Sequence, residues 1–126
     1  NNKNKDMKKF VTLLLCMLPV SLFAQVNDGI RQAMDNYDYE TVVTLIEPDC
    51  QDSLLLITKA QALKAMNRYP EAIGVLNSLI LKDSTNTKVL IDLAECYKLT
   101  GNSRRAANCY QKAMNLQPEN KFFRLQ

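Results

Sequence analysis

The sequence predicts an all-α fold in which helix–turn–helix repeats, about three units in all, stack as an α-solenoid. Hydrophobic residues make up 47% and charged residues 23% of the 126 residues, which is the balance of a globular chain. Only 3 Gly and 4 Pro occur, too few for the many tight turns of a β-sandwich. Apolar and small residues recur at helical spacings, and a constant offset carries Leu56 onto Leu90 and Ala60 onto Ala94. These observations favour long helices arranged in repeats.

The N-terminal segment is predicted to be a targeting signal that takes no part in the fold. Residues 1–6 precede the first Met and are treated as an upstream extension. Residues 7–24 open with a basic pair and continue in an apolar stretch that ends at Ala24, the composition of a secretory signal peptide. As a helix, that stretch reaches about 22 Å, short of the roughly 30 Å bilayer core. We expect export, cleavage after Ala24 and a periplasmic or envelope-associated location in a bacterium; the alternative is a retained leader that anchors the chain in a membrane.

The leader also accounts for the net charge. The chain carries 16 basic and 13 acidic side chains, a formal charge of +3. Four lysines and one aspartate lie in residues 1–24, so residues 25–126 hold 12 charges of each sign and are neutral overall. Because nucleic-acid binding needs a concentrated basic face, no nucleic-acid partner is expected.

Residues 25–52 are predicted to form a short first repeat. Apolar residues of its two halves face each other across a turn, and Pro48 closes the second helix early. Tyr39, just after the turn, corresponds to Tyr69 in the next unit, which is a smaller offset than the one that relates the later units. The first unit is therefore about one helical turn shorter than the units that follow.

Residues 53–86 and 87–120 are predicted to be two regular repeats, and residues 121–126 begin a further first helix. Asn67 occupies the turn position that Gly101 holds in the next repeat, and Asn tolerates the left-handed backbone that such a turn needs. The second regular unit carries the fuller pattern of large, small and turn residues. That pattern comprises Leu90, Leu93, Ala94, Tyr97, Gly101, Ala106, Tyr110, Ala113 and Pro118.

This pattern resembles the tetratricopeptide repeat family over essentially all of residues 25–126. Leu90 takes the place of the family's frequent Trp, Lys59 that of a usual Leu, and Asn67 that of the usual Gly. The resemblance implies helix pairs that cross closely through small residues such as Ala94 and stack into a superhelix. It also implies that the first helix of each unit lines the inner wall, and that the protein acts in protein–protein interaction.

The implied inner wall supplies candidate binding residues. Two isoleucines are interpreted as an apolar floor flanked by polar contacts, on which an extended or helical peptide would lie. The alternative is that these are ordinary solvated positions. Helical periodicity also places Leu54 and Arg68 on the face of the first of these helices that carries Ile57. It places Lys88 on the face of the next one that carries Ile91. The candidate partner-binding residues are Ile57, Gln61, Lys64, Ile91, Glu95 and Lys98.

The composition excludes the usual catalytic machinery. There is no His, so the usual general base and the commonest metal ligand are both missing. Neither a Gly-rich phosphate loop nor a G-x-S-x-G motif occurs. Cleavage would leave Cys50, Cys96 and Cys109, an odd number, so at least one thiol is free or paired between chains; Cys96 and Cys109 are expected to be buried. We expect no enzymatic activity, no cofactor and no metal site.

Two functions fit these features. The first is an exported scaffold or adapter whose groove binds a segment of a protein or peptide partner. The second is the N-terminal sensing or assembly segment of a larger envelope protein whose effector domain lies beyond residue 126. A membrane interaction is expected only if the leader is retained. Some members of the family grip a C-terminal carboxylate, but the corresponding places here hold Ile57, Gln61, Asp92 and Glu95, so that binding mode is not expected.

Overall fold

A computed structural model describes residues 2–119, with the side chains of residues 8–20 left out. This part of the chain contains six helices and no strand, which confirms the all-α prediction. The predicted further helix over residues 121–126 lies outside the described residues. The helices are α1 (Asn2–Asp35), α2 (Tyr39–Leu45), α3 (Ser53–Ala65), α4 (Tyr69–Lys82), α5 (Thr87–Leu99) and α6 (Ser103–Leu116).

Helix α1 contains the predicted signal peptide and also the first helix of the first hairpin. Its backbone is helical across Ala24, after which cleavage is predicted. Within the described residues, no helix combines the length and the apolar character that crossing a bilayer requires. The predicted boundaries of the leader and of the repeats stay predictions.

Short polar side chains begin the later helices. The Asp52 carboxylate accepts hydrogen bonds from Leu54 N (2.9 Å) and Leu55 N (3.2 Å) at the start of α3. Asn86 caps α5 and Asn102 caps α6 in the same way. Helix α4 has Pro70 in its first turn instead of a side-chain cap, where the missing N–H of proline costs nothing. Each segment therefore has a defined start, and the hairpin turns are short.

The hairpin turns depend on a left-handed residue at equivalent positions. Gly101 has φ 81° and Asn67 has φ 60°, which confirms that Asn67 can replace glycine in this turn. Tyr37 has φ 58° in the first hairpin, a conformation that bulky side chains rarely adopt. The same turn geometry therefore recurs in all three hairpins.

Small residues at the helix crossings form the centre of the core. Ala60 and Ala94 are buried, as are Ala72, Ala106 and Ala113 on the second helices. A small residue at a crossing lets two helix backbones approach closely. Large side chains then fill the space on either side of the crossing. These large residues are Leu63, Leu76, Leu79, Leu93 and Tyr97.

The first hairpin packs on the second through a separate part of the core. Ala62 of α3 is fully buried in a cluster with Ile30, Ala33, Val42 and Ile46 of the first hairpin. A larger cluster spans α3 to α6. Three hairpins thus stack in chain order, as the predicted solenoid requires.

Candidate partner-binding groove

Helices α1, α3 and α5, the first helices of the three hairpins, lie next to one another on one side of the stack. A depression of about 390 Å³ is lined from both α1 and α3. Farther along, the Lys64 Nζ of α3 reaches Asp92 Oδ1 (3.2 Å) and Glu95 Oε2 (3.1 Å) of α5. We call the surface shared by these three helices the groove face.

The structure brings together two of the predicted polar residues, Lys64 and Glu95, and adds Asp92 to them. Partial burial by itself lowers the pKa of Lys64, but hydrogen bonds to Glu95 and Asp92 and their charges outweigh it, so the pKa is raised. Lys64 is therefore held as a cation between two carboxylates. The side chains of Gln61 and Lys98 are exposed to solvent.

The two predicted floor residues, Ile57 and Ile91, are half-buried and pack in different places. Ile57 packs against the large cluster of α3 to α6. Ile91 packs beside Leu90 and Ala113 in a smaller cluster between α5 and α6. Both isoleucines therefore help to hold the hairpins together, and a binding role would be additional.

Two leucines on the groove face are much more exposed than these isoleucines. Leu54 at the start of α3 is 76% exposed, and Leu99 at the end of α5 is 60% exposed. Helical periodicity predicted Leu54 on this face, whereas Leu99 was not among the predicted residues. Its spacing of four from Glu95 and seven from Asp92, which is the helical period, is the signal that could have found it.

Arg68 does not lie on the α3 face, so that placement was wrong. Helix α3 ends at Ala65, and Arg68 lies in the turn that precedes α4. Its guanidinium donates to Glu71 Oε2 (2.6 Å) of α4 and to Glu40 Oε2 (2.9 Å) of α2. Arg68 thus links two second helices instead of facing the groove.

Two polar residues of α1, Asn27 and Arg31, line the depression and were not among the residues predicted from the sequence. The shorter offset of the first repeat pairs Asn27 with Ile57 and Arg31 with Gln61. Applying that offset to the candidate residues would have found both. Within the described part of the chain, Asn27 Oδ1 is buried and has no hydrogen-bond partner.

The cysteines contribute to packing. Cys96 and Cys109 are buried free thiols, and burial raises the pKa of each, so both stay neutral at pH 7. This confirms their expected burial. Cys50 is a half-buried free thiol in the loop before α3.

Three hairpins stacked through small residues, with their first helices side by side, define a helical-repeat protein of the solenoid class. The tetratricopeptide repeat profile matches residues 63–126, just over half of the chain. The chain belongs to the tetratricopeptide repeat family.

One curated relative is the DnaJ homolog subfamily C member 7 homolog of Dictyostelium discoideum. It is 35% identical over 86 residues, which cover 67% of this chain and 16% of the relative. The chain therefore spans about one sixth of the length of that relative.

Solved structures share the fold at low sequence identity. PcrH in complex with the chaperone binding region of PopB has a TM-score of 0.65 at 14% identity, covering 83% of this chain and 88% of PcrH. The translocator chaperone SycD of Yersinia enterocolitica has a TM-score of 0.65 at 19% identity, with coverages of 89% and 87%. The first repeat domain of Spaghetti (RPAP3), bound to the HSP90 peptide SRMEEVD, has a TM-score of 0.63 at 17% identity, with 84% of each chain covered.

Proposed function

We propose that the chain is a protein–protein interaction scaffold that binds an extended or helical segment of a partner on its groove face. The exposure of Leu54 and Leu99 on that face carries the proposal. Covering a leucine side chain on binding contributes about 1.5–3 kcal/mol, whereas leaving it in water contributes nothing. The ion pair of Lys64 with Asp92 and Glu95 lies on the same face.

The solved relatives support a peptide-binding role of this kind. PcrH is bound to the chaperone binding region of PopB, and the first repeat domain of RPAP3 is bound to an HSP90 peptide. Both have the fold of this chain. The proposal extends the binding of a partner segment from those proteins to the groove face described above.

The proposed scaffold carries out no chemical step. The sequence has no His, and the groove carboxylates Asp92 and Glu95 are engaged by Lys64. A paired carboxylate is poorly placed to accept a substrate proton. We accordingly propose binding without catalysis.

The proposed scaffold acts after export, with residues 7–24 as its signal peptide. The basic start and the apolar stretch up to Ala24 support this location. N-terminal sequencing of the full chain, expressed in a bacterium and recovered from its periplasm, should give Gln25 as the first residue. Recovery from the cytoplasm with an intact leader would contradict export and leave the binding proposal standing.

Peptide selection on the immobilised full chain tests the binding function. Peptides that bind should lose affinity about tenfold or more when Leu54→Ser or Leu99→Ser removes an exposed apolar side chain, measured by fluorescence anisotropy. The matched control is Leu81→Ser, because Leu81 is 89% exposed on α4, away from the groove face. Both leucines are so exposed that their replacement should leave the fold intact, which circular dichroism checks.

The two kinds of variant separate the groove from the rest of the surface. An equal loss of peptide affinity in the control and in the groove variants, or no loss of affinity in any of them, would place binding elsewhere. Failure to select any peptide that depends on Leu54 or Leu99 would end the proposal.

A further inference from the structure

The depression between α1 and α3 has room and apolar walls for a bulky side chain. Its volume of about 390 Å³ falls in the range of small-ligand pockets. Ile30 and Met34 of α1 and Leu54 and Leu55 of α3 form the apolar part of its lining. A leucine or similar side chain entering from a bound segment would contact apolar groups from both helices.

Asn27 contributes an unsatisfied amide to the same depression. Its Oδ1 is buried and unpartnered in the described part of the chain, and a buried acceptor without a donor costs stability. The oxygen and nitrogen of an amide are nearly equal in size, so a half-turn about Cβ–Cγ exchanges them. A peptide main chain offers N–H and C=O groups at every residue, and one of them can pair with whichever end of this amide faces the depression.

Arg31 provides a positive charge one helical turn after Asn27. Its side chain is exposed, and the ion pairs found among the described residues involve Lys64 and Arg68 instead. Asp52 also lines the depression, but its carboxylate already accepts from the backbone N–H groups that begin α3. The guanidinium is therefore available for a carboxylate of a bound partner, which it can bind through two parallel hydrogen bonds.

We propose that this depression is a subsite for an extended acidic–apolar peptide segment. A bulky apolar side chain of the peptide enters between α1 and α3, and Asn27 hydrogen-bonds the peptide main chain. Arg31 binds an acidic side chain that lies two residues away from the apolar one. In an extended peptide, alternate side chains point the same way, so the apolar and acidic groups reach the depression together. This inference rests on the proposed binding function and names the chemistry of the partner.

Three short synthetic peptides and the full chain test this subsite. The peptides share one leucine and differ only at the residue next but one to it, which is Glu, Gln or Lys. Fluorescence anisotropy at low salt should rank the affinities Glu over Gln over Lys, with about tenfold between Glu and Lys. Arg31→Glu should reverse the order, so that the Lys peptide binds best. The matched control, Arg104→Glu, makes the same charge change at an exposed position of α6 and should leave the order unchanged.

Asn27→Ala separates a binding role from a structural one. Removing an unsatisfied buried oxygen from a helix should raise the midpoint of thermal unfolding. The same substitution should lower the affinity for all three peptides about equally, by several-fold, because a main-chain contact does not depend on the peptide side chain. A purely structural asparagine would leave peptide affinity unchanged, and that result would remove Asn27 from the subsite.

The possible failures are distinguishable. If the order of the three peptides survives Arg31→Glu, the acidic subsite is wrong, while continued dependence of selected peptides on Leu54 and Leu99 keeps the proposed function. If none of the three peptides binds at millimolar concentration, the subsite is overturned. If, in addition, no selected peptide depends on those leucines, both proposals fail.

Discussion

The left-handed turn residues show how a single position can shape a hairpin. Gly101 has no Cβ, and no atom outside its two neighbouring residues lies within 4 Å of where one would be, so only the backbone conformation opposes a side chain there. Asn67 accepts a hydrogen bond from the hydroxyl of Tyr69 (2.9 Å). Tyr37 packs edge-on against Tyr39, with ring centroids 6.3 Å apart. The side chains of Asn67 and Tyr37 thus make local contacts while their backbones are left-handed. Glycine adopts the same backbone conformation without such contacts.

Two glycine substitutions should change stability in opposite directions. Gly101→Ala should destabilise the chain by about 1 kcal/mol, because φ 81° is strained for any residue with a Cβ. Gly74→Ala, in the middle of α4 with no atom near its added methyl group, should stabilise it by about 0.5–1 kcal/mol through helix propensity. Urea denaturation measures both, and a shift of the same sign in the two variants would refute the assigned backbone geometry.

The sequence predicted some of these residues and not others, for physical reasons. Gly and Asn are the residues that tolerate a left-handed backbone, so the turns at Gly101 and Asn67 could be recognised. Tyr37 gives no such signal, since bulky side chains rarely adopt a left-handed backbone. The unsatisfied Oδ1 of Asn27 likewise depends on what surrounds it, which spacing alone does not reveal.

At the scale of helices, closely packed pairs follow directly from the placement of small residues. The constant offset that carries Ala60 onto Ala94 made five alanines of α3 to α6 visible in the sequence. These five alanines, which are Ala60, Ala72, Ala94, Ala106 and Ala113, are buried. The short α2, of seven residues, was also foreseeable, because Pro48 and the residue before it cannot continue a helix. A loop over residues 46–52 joins α2 to α3. Lys82 of α4 donates a hydrogen bond to the Gln51 carbonyl of this loop.

Contacts between helices were less predictable than the helices themselves. Periodicity placed Lys64 and Glu95 on a common face but could not show that they meet. It also carried Arg68 onto that face, because the helical period was continued past Asn67, the turn residue that follows the end of α3 at Ala65. Long side chains reach several ångströms in many directions, so their partners depend on the three-dimensional arrangement.

Overpacking one crossing should test the close approach of α5 and α6. Ala94 is fully buried, and Ala94→Leu should lower the free energy of unfolding by about 1–3 kcal/mol or more. Ala107→Leu, at an exposed position of α6, is the matched control and should change it by no more than about 0.5 kcal/mol. A tolerated leucine at position 94 would mean that the helices do not cross there.

At the scale of the whole molecule, stability and binding depend on the same stacking. Each hairpin buries too little apolar surface to fold by itself, so neighbouring hairpins supply the missing contacts. Ala62 supplies such contacts between the first and second hairpins. The cluster from α3 to α6 supplies them between the second and third hairpins. The same stacking aligns α1, α3 and α5, which is how residues far apart in sequence, such as Arg31 and Leu99, share the groove face.

The sequence determines this architecture more closely than it determines the partner. Repeat spacing arises from packing within the chain and is recorded in every unit. Partner chemistry depends on a few exposed side chains, and their effect is set by what binds them. The cellular location and the function as part of a larger envelope protein remain predictions from the leader and from the repeat pattern.

Amide chemical-shift mapping tests the central claim, that the first helices of the hairpins form the binding surface. The isotope-labelled full chain would be titrated with a peptide obtained by selection. We predict shifts concentrated on α1, α3 and α5, with the largest near Leu54 and Leu99. Shifts concentrated on α2, α4 and α6, with the groove face unchanged, would show that the partner binds on the second helices instead.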